Sequence, residues 1–317
     1  MATFAILGSG FGLYGYLPAL IRAGVQRIVL PERYQTRLFD RQELIPFASN
    51  IEWEADEDSV LDRAEGVVLA LRPSDQSKWI PRCLTRSNIK NMLLEKPLAH
   101  SPETATKILE ALIRSGKVFR TGYTFRYTTW GKQLLSSLGP KKGECDALSI
   151  SWIFLAHHFH HDLNTWKRFD DAGGGALRFY GIQIIALLAE IGYCNVTSSQ
   201  AFGTSSNELE KWSAVFQGSG LPVCKIQVNT RSTVSKFQIE QTFNTNVGSK
   251  TIAMVDQSDP FDEVMDSTPL VKTDRRVPLL SQLYNSLSEK SAHYNECYEA
   301  TIKLWHLVEE KTKFEAI

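Results

Sequence analysis

The feature that most narrows what this chain can become is a glycine cluster set directly behind its first apolar run. Phe4-Ala5-Ile6-Leu7 is short and aliphatic, and Gly8-Ser9-Gly10-Phe11-Gly12 follows without a spacer. A helical pattern over 14–23 comes next. Strand, glycine turn, helix is the one context in which such a cluster is informative. Glycines let the backbone turn tightly and lie close to a pyrophosphate, whose charge then rests on the N-terminus of the following helix. The third glycine comes one position early for the G-x-G-x-x-G spacing, and Leu13 stands in its place. An ordinary strand–helix turn would read the same way on its own. In this context the loop is expected to hold a dinucleotide through Gly8, Gly10, Phe11, Gly12 and Leu13.

The residues up to 122 repeat that theme. Residues 4–7, 27–30, 66–71, 91–94 and 118–121 are brief and aliphatic-rich, the pattern of buried strands. Helices are expected over 14–23, 75–85 and 102–115. The last has a full start signal: Ser101 as N-cap, Pro102 at the first helical position, then Glu103. Alternation of this kind implies right-handed crossovers and an open parallel sheet. The fold class is therefore α/β, with an N-terminal Rossmann domain over 1–122.

From residue 123 the texture changes, and a second domain is expected over 123–317. A helix over 128–138 leads to a polar tip, Gly139-Pro140-Lys141-Lys142-Gly143. Longer alternating segments follow at 146–155, 197–203, 213–217, 223–230, 236–242 and 251–255. They predict an α+β domain with an open, mainly antiparallel sheet. An apolar helix over 176–191 interrupts them, and one long amphipathic helix over 279–313 closes the chain.

The bulk figures bound the function. A chain of 317 residues suits two domains, and a hydrophobic fraction of 43% is enough for real cores. Lys plus Arg and Asp plus Glu are both 35, for a net charge of zero. A phosphate-backbone partner calls for a basic excess, so nucleic acid is not expected. The five cysteines, Cys83, Cys145, Cys194, Cys224 and Cys297, are scattered without the spacing of a metal knuckle or redox pair. A reduced, cytoplasmic setting is expected. The apolar run at the N-terminus is too short for a leader or a membrane span, so no membrane partner is expected either.

The second strand of a dinucleotide domain ends in the residue that meets the adenosine ribose. Here that is Glu32, about two dozen residues after Gly8. Its carboxylate would accept from ribose hydroxyls and repel a 2′-phosphate, which favours NAD. Arg33 beside it could instead clamp a phosphate and admit NADP. A solvated surface pair is the plain alternative.

At Leu94-Glu95-Lys96-Pro97-Leu98 the chain reaches a recognisable pattern. With the glycine loop and Pro18-Ala19-Leu20, it resembles the glucose-fructose oxidoreductase / inositol dehydrogenase / MocA family along its whole length. Ala70-Leu71-Arg72-Pro73-Ser74-Asp75-Gln76 sits where that family carries its nicotinamide-side loop. Gly173-Gly174-Gly175-Ala176-Leu177 matches the glycine triplet that starts the helix along its substrate cleft. The resemblance implies an NAD(P)-dependent oxidoreductase acting on a sugar, nucleotide-sugar or cyclitol. It implies cofactor contacts at Leu71, Arg72, Pro73, Gln76, Glu95, Lys96 and Pro97. It also implies a cis bond before Pro97, and a sheet that serves as the interface of a homodimer or homotetramer. Lys96 would lie near the nicotinamide and the reacting hydroxyl. There it would remove the proton that leaves with the hydride, or orient the hydroxyl as a cation.

One departure bears on the chemistry. After its glycine triplet the family carries an Asp, then a His or Tyr four residues on, sharing one helix face. Phe179 and Gln183 occupy those places here, and Ala186 takes that of a further Asp. An amide can bond a hydroxyl but cannot take its proton. Ordinary alcohol dehydrogenation therefore loses its helix-borne acid/base, while cofactor binding is untouched. The stretch His157-His158-Phe159-His160-His161 holds four of the seven histidines. One of these histidines, with His158 as the candidate, could serve as the relay, an unperturbed imidazole titrating near neutrality, and exposed loop histidines are an equal reading. No carboxylate or cysteine pattern completes a metal site there. Trp166, Arg168, Tyr180 and Arg126 are further substrate-side candidates, with packing as the plainer reading of Tyr180. The competing class is a degenerate family member that binds nucleotide and sugar to regulate or scaffold.

Overall fold

The computed structural model describes residues 2–138, 145–245, 248–262 and 273–317. The polar tip at 139–143, Lys141 and Lys142 included, lies outside the described residues. Two compact units are present. One comprises Met1–Ala99, Lys107–Tyr127 and Val264–Asn295; the other comprises His100–Thr106, Thr128–Glu263 and Glu296–Ile317. The chain thus passes between units more than once, and a late segment belongs with the first unit.

The first unit is built on six parallel strands: β1 (Phe4–Leu7), β2 (Ile28–Pro31), β3 (Ile51–Glu54), β4 (Gly66–Leu69), β5 (Asn91–Leu94) and β6 (Val118–Thr121). Their order is β3-β2-β1-β4-β5-β6, that of a Rossmann sheet. The order reverses between β1 and β4, and at such a point the carboxyl ends of the strands open a crevice for ligands. β1, β2 and β4 are buried at every residue, which is why they read as unbroken apolar runs. The apolar pattern of the sequence does not mark β3 or the helix Glu57–Arg63. β3 is an edge strand, half-buried throughout, and Ile51-Glu52-Trp53-Glu54 alternates instead of running apolar. The helix after it is capped by Asp56, whose side chain accepts from the Ser59 amide at 2.8 Å. Phe4, Ile6, Leu13, Tyr16, Leu17, Leu20 and Leu30 form one core cluster with Leu280 and Leu283. Each buried side chain of that size contributes about 1.5–3 kcal/mol.

The second unit has a seven-stranded mixed sheet: β7 (Ala147–Leu155), β8 (Asn195–Ser205), β9 (Glu208–Gln217), β10 (Val223–Asn229), β11 (Arg231–Thr245), β12 (Gly248–Gln257) and β13 (Thr312–Ala316). The order is β12-β11-β7-β10-β9-β8-β13. Two pairings, β7 with β10 and β8 with β13, are parallel; the other four are antiparallel. The expected long terminal helix is not one element. It divides into Val277–Asn285, a 3-10 turn Ser286–Ser288 and Ser291–Lys311, and Thr312–Ala316 then joins the sheet. Serines at 286, 288 and 291 compete for backbone bonds; Ser286 Oγ and Ser288 Oγ donate back to the carbonyls of Leu283 and Asn285. The helical stretch Asp170–Ile191 is long and apolar enough to cross a membrane, but 78% of its window is buried within the protein. It is the core helix of this unit.

Candidate functional site

The glycine loop closes over the carboxyl end of β1. Gly8 has φ +126°, and a Cβ there would stand 2.2 Å from the Ala70 carbonyl oxygen, so no side chain fits. Its amide donates to the Tyr34 hydroxyl at 3.0 Å, a buried bond tying the loop to the segment after β2. Gly10 is the opposite case: a Cβ there would meet nothing within 4 Å. The backbone at Gly10 is open to an approaching group. The early third glycine begins a π-turn, Gly12–Tyr16, before the helix Leu17–Arg22. A Cβ on Gly12 would press Ile6 at 2.8 Å. Leu13 is buried at 1% exposure and packs in the core cluster of this unit.

After β2, Glu32 and Arg33 are both exposed and begin a short 3-10 turn. Arg33 Nε donates to Glu57 at 2.7 Å, and its guanidinium lies 5.1 Å from the Tyr34 ring centre. Arg37, which the sequence reading did not single out, donates to Ser9 Oγ at 3.0 Å. A helical i, i+4 step from Arg33 was the available signal.

The Glu95–Leu98 segment leaves β5 two strands away, at the same sheet edge, and its Lys96–Pro97 bond is cis, as the resemblance implies. Gln76 builds this turn. Fully buried, it donates from Nε2 to the carbonyls of Glu95 (2.8 Å), Leu98 (3.1 Å) and Pro97 (3.4 Å), and its Oε1 accepts from the Glu95 amide at 2.9 Å. Gln76 therefore acts by holding the turn; its amide is spent on backbone. Pro73 is buried at the start of the same helix, Leu71 is half-buried and Arg72 exposed. Glu95 accepts from the Tyr16 hydroxyl at 2.8 Å, linking this turn to the π-turn that opens at Gly12. Lys96 is half-buried between them in sequence.

Arg276, from the late segment of this unit, lies 4.0 Å from the Phe11 ring centre. Asp274 grips it at 2.8 Å through both carboxylate oxygens. Burial works against its charge, but Asp274, Tyr14 and Glu95 together raise its pKa above the ordinary arginine value. Nothing in local spacing links residue 276 to residue 11. Arg126 packs over Tyr294 at 4.5 Å.

The substrate-side candidates group in the second unit. The glycine triplet gives way to a π-turn, Gly175–Gly181, that carries Phe179 and Tyr180. Arg178 in that turn is held by Glu309 at 2.8 and 2.9 Å and by Asp170 at 3.1 Å, and it donates to the carbonyls of Asp170 (2.9 Å) and His100 (3.2 Å). Burial pushes the Asp170 carboxyl up to about 7, against the pull of Arg178, whose fork is already committed to Glu309. Gln183 lies one turn on and is 5% exposed. Trp166 meets Phe179 at 5.3 Å, Phe179 meets Tyr180 at 4.8 Å, and Tyr180 meets Phe154 at 4.9 Å, all near-perpendicular. His158 is buried and lies 6.4 Å from Tyr180. Burial, then Lys167 and Arg168, lowers its pKa to about 4, so its imidazole is neutral at physiological pH. His157, His160 and His161 are exposed. Arg168 is committed to Glu208 at 2.7 Å and Asp162 at 3.0 Å.

No family model and no curated protein matches the sequence. Solved structures do. A Tyr→Phe variant of a 3-ketoreductase from Actinomadura kijaniata, in complex with TDP-benzene and NADP, is similar at TM-score 0.72 and 13% identity, covering 100% of this chain and 99% of that one. GenD2 from gentamicin A biosynthesis, in complex with NAD, is similar at 0.70 and 15%, covering 98% and 93%. A putative oxidoreductase from Erwinia carotovora atroseptica is similar at 0.67 and 14%, covering 99% of each chain. At such identities the likeness establishes the fold.

Proposed function

We propose that this protein is an NAD(P)-dependent oxidoreductase that moves hydride to or from a sugar, nucleotide-sugar or cyclitol, with Lys96 in the proton path. The observation that carries the reading is the pairing of the open glycine loop with the Gln76-held turn of Glu95-Lys96-Pro97 at the carboxyl edge of one parallel sheet. A ligand crevice forms at that place in such sheets. Similar structures hold NADP or NAD, and one is a ketoreductase bound to TDP-benzene, which supports a sugar-linked substrate.

The cofactor supplies the hydride; the chain's residues bind it and handle the proton. The loop amides from Ser9 to Gly12 would face the pyrophosphate, that of Gly8 being held by Tyr34, and Glu32 would accept from ribose hydroxyls, favouring NAD. Arg37 beside Ser9 is the group that would admit a 2′-phosphate, since Arg33 is engaged by Glu57. Lys96 would give or take the proton of the reacting oxygen, while Gln183 would only position it. The five cysteines are all free thiols, in keeping with a cytoplasmic setting.

The second reading is a binding protein without turnover. Phe179 and the buried Gln183 favour it, because neither can exchange a proton. Kinetics separate the two. Lys96→Ala should lose on the order of a hundredfold in kcat, the usual worth of a positioned proton carrier, with NAD(P)H affinity nearly unchanged. Gln183→Ala should mainly raise KM. An active enzyme indifferent to Lys96→Ala would move the proton path elsewhere. A protein that binds NADH yet turns over nothing across a broad sugar panel would favour the binder.

A further inference from the structure

We propose that Arg276 binds the diphosphate of the dinucleotide, as a cation that the late segment of the chain brings to the glycine loop. The inference rests on the cofactor reading above and adds to it a phosphate ligand remote in sequence. The loop alone has few donors left for a doubly charged group. The Gly8 amide is held by the Tyr34 hydroxyl at 3.0 Å. Those of Leu13 and Tyr14 both turn back to the Gly10 carbonyl, at 2.9 and 3.4 Å. The amides from Ser9 to Gly12 remain, and they lead into a five-residue π-turn instead of directly into an α-helix.

Arg276 immediately precedes the helix Val277–Asn285, whose Val277, Leu280 and Leu283 lie in the core cluster of the first unit. Ser281 Oγ donates to the Ala19 carbonyl at 2.8 Å, pinning this helix to the one after the glycine loop. The Arg276 guanidinium lies 4.0 Å from the ring centre of Phe11, the residue between Gly10 and Gly12. Tyr14 beyond the loop and Glu95 in the turn after β5 are both near enough to act on its charge. Asp274 accepts along one edge of the fork, from Nε and Nη2 at 2.8 Å each. Nη1, on the other edge, has no hydrogen-bond partner among the described residues. Burial penalises the cation, yet 31% of the side chain still meets solvent. An arginine locked in plane by a carboxylate and a ring, with one edge of its fork unused, suits the paired oxygens of a phosphate. A charge-assisted hydrogen bond of that kind is worth about ten- to a hundredfold in affinity.

The test is calorimetric titration of NADH, NADPH, ADP and adenosine into the full-length protein, wild type and Arg276→Gln. Adenosine is read by displacement of ADP where it binds weakly. ADP and adenosine differ only in the diphosphate, and wild type should bind ADP more tightly. Arg276→Gln should lose at least about tenfold for NADH and for ADP, while adenosine changes by less than about twofold. The double variant Arg276→Gln/Asp274→Asn leaves no orphaned carboxylate; it should behave the same, and serves if the single variant does not fold. NADH and ADP binding indifferent to both variants overturns the proposal and leaves the oxidoreductase reading standing. Equal losses for ADP and adenosine also overturn it, since Arg276 would then only brace Phe11. A wild type that binds ADP through Arg276 but neither NADH nor NADPH supports the diphosphate site and contradicts the oxidoreductase reading instead. A wild type that binds none of the four contradicts both.

Discussion

The amide of Gln76 closes four bonds onto Glu95–Leu98, and that one residue sets the backbone on which Lys96 stands. Gln76→Leu keeps most of the volume and leaves those buried carbonyls without a donor. Each orphaned group costs about 1–3 kcal/mol, so the denaturant midpoint should fall by the equivalent of about 3 kcal/mol. A change under about 0.5 kcal/mol would mean the turn holds itself. The sequence singled out Gln76 from its place in a resembled loop, but not the role it plays. Its partners lie 19 to 22 residues away, and no local pattern records that. Leu13 shows the same limit, since its inward turn follows from the π-turn after the early glycine. Arg178, Arg276 and Glu309 were invisible for a like reason: Arg178 pairs with Glu309, and Arg276 meets Phe11, far along the sequence.

Elements were legible where burial made them uniform. β1, β5 and β6 fall where their apolar runs predict, and the helix from Pro102 starts on the Ser101 signal, with the Ser101 hydroxyl accepting from the Thr104 amide at 3.3 Å. β3 failed because an edge strand alternates, and the terminal helix failed because amphipathic periodicity runs on through a serine-rich break. The π-turn Gly175–Gly181 carries Phe179 and Tyr180, and Arg178 anchors it to Glu309 and Asp170. Arg178→Met would leave two carboxyls without their cation. A cost of about 3–5 kcal/mol is expected in thermal or denaturant unfolding, as when one partner of a buried pair is removed. Replacing Glu309 by Leu in the same chain should recover much of it. Equal loss in the single and double variants would show that the cost is packing and not charge.

At the scale of the whole molecule, the alternation of strands and helices forecast a Rossmann sheet followed by a mainly antiparallel one, and both are present. The return of the late segment to the first unit was not readable, because it depends on Leu280 and Leu283 meeting the core beneath the glycine loop. The open face of the seven-stranded sheet carries Ser149, Ser151, Ser213, Lys225 and Gln227 around a shallow groove. We expect this face to meet a second copy, giving a homodimer or homotetramer, through a polar and hydrated interface. Light scattering at micromolar concentration should report a multiple of 35.7 kDa. A mass of 35.7 kDa itself would show that the polar face is solvated in a monomer.

The central claim is that the glycine loop holds a nicotinamide dinucleotide, and Gly10 allows a direct test. A Cβ at Gly10 would meet nothing of the protein within 4 Å beyond its chain neighbours, so Gly10→Val starts its side chain in open space at the loop. The measurement is calorimetric titration of NADH and NADPH into wild type and Gly10→Val, with melting temperatures of both. The account predicts micromolar-range binding by wild type, a loss of at least tenfold in the variant, and nearly equal melting temperatures. Binding of neither cofactor by wild type, or equal binding by the variant, would contradict it.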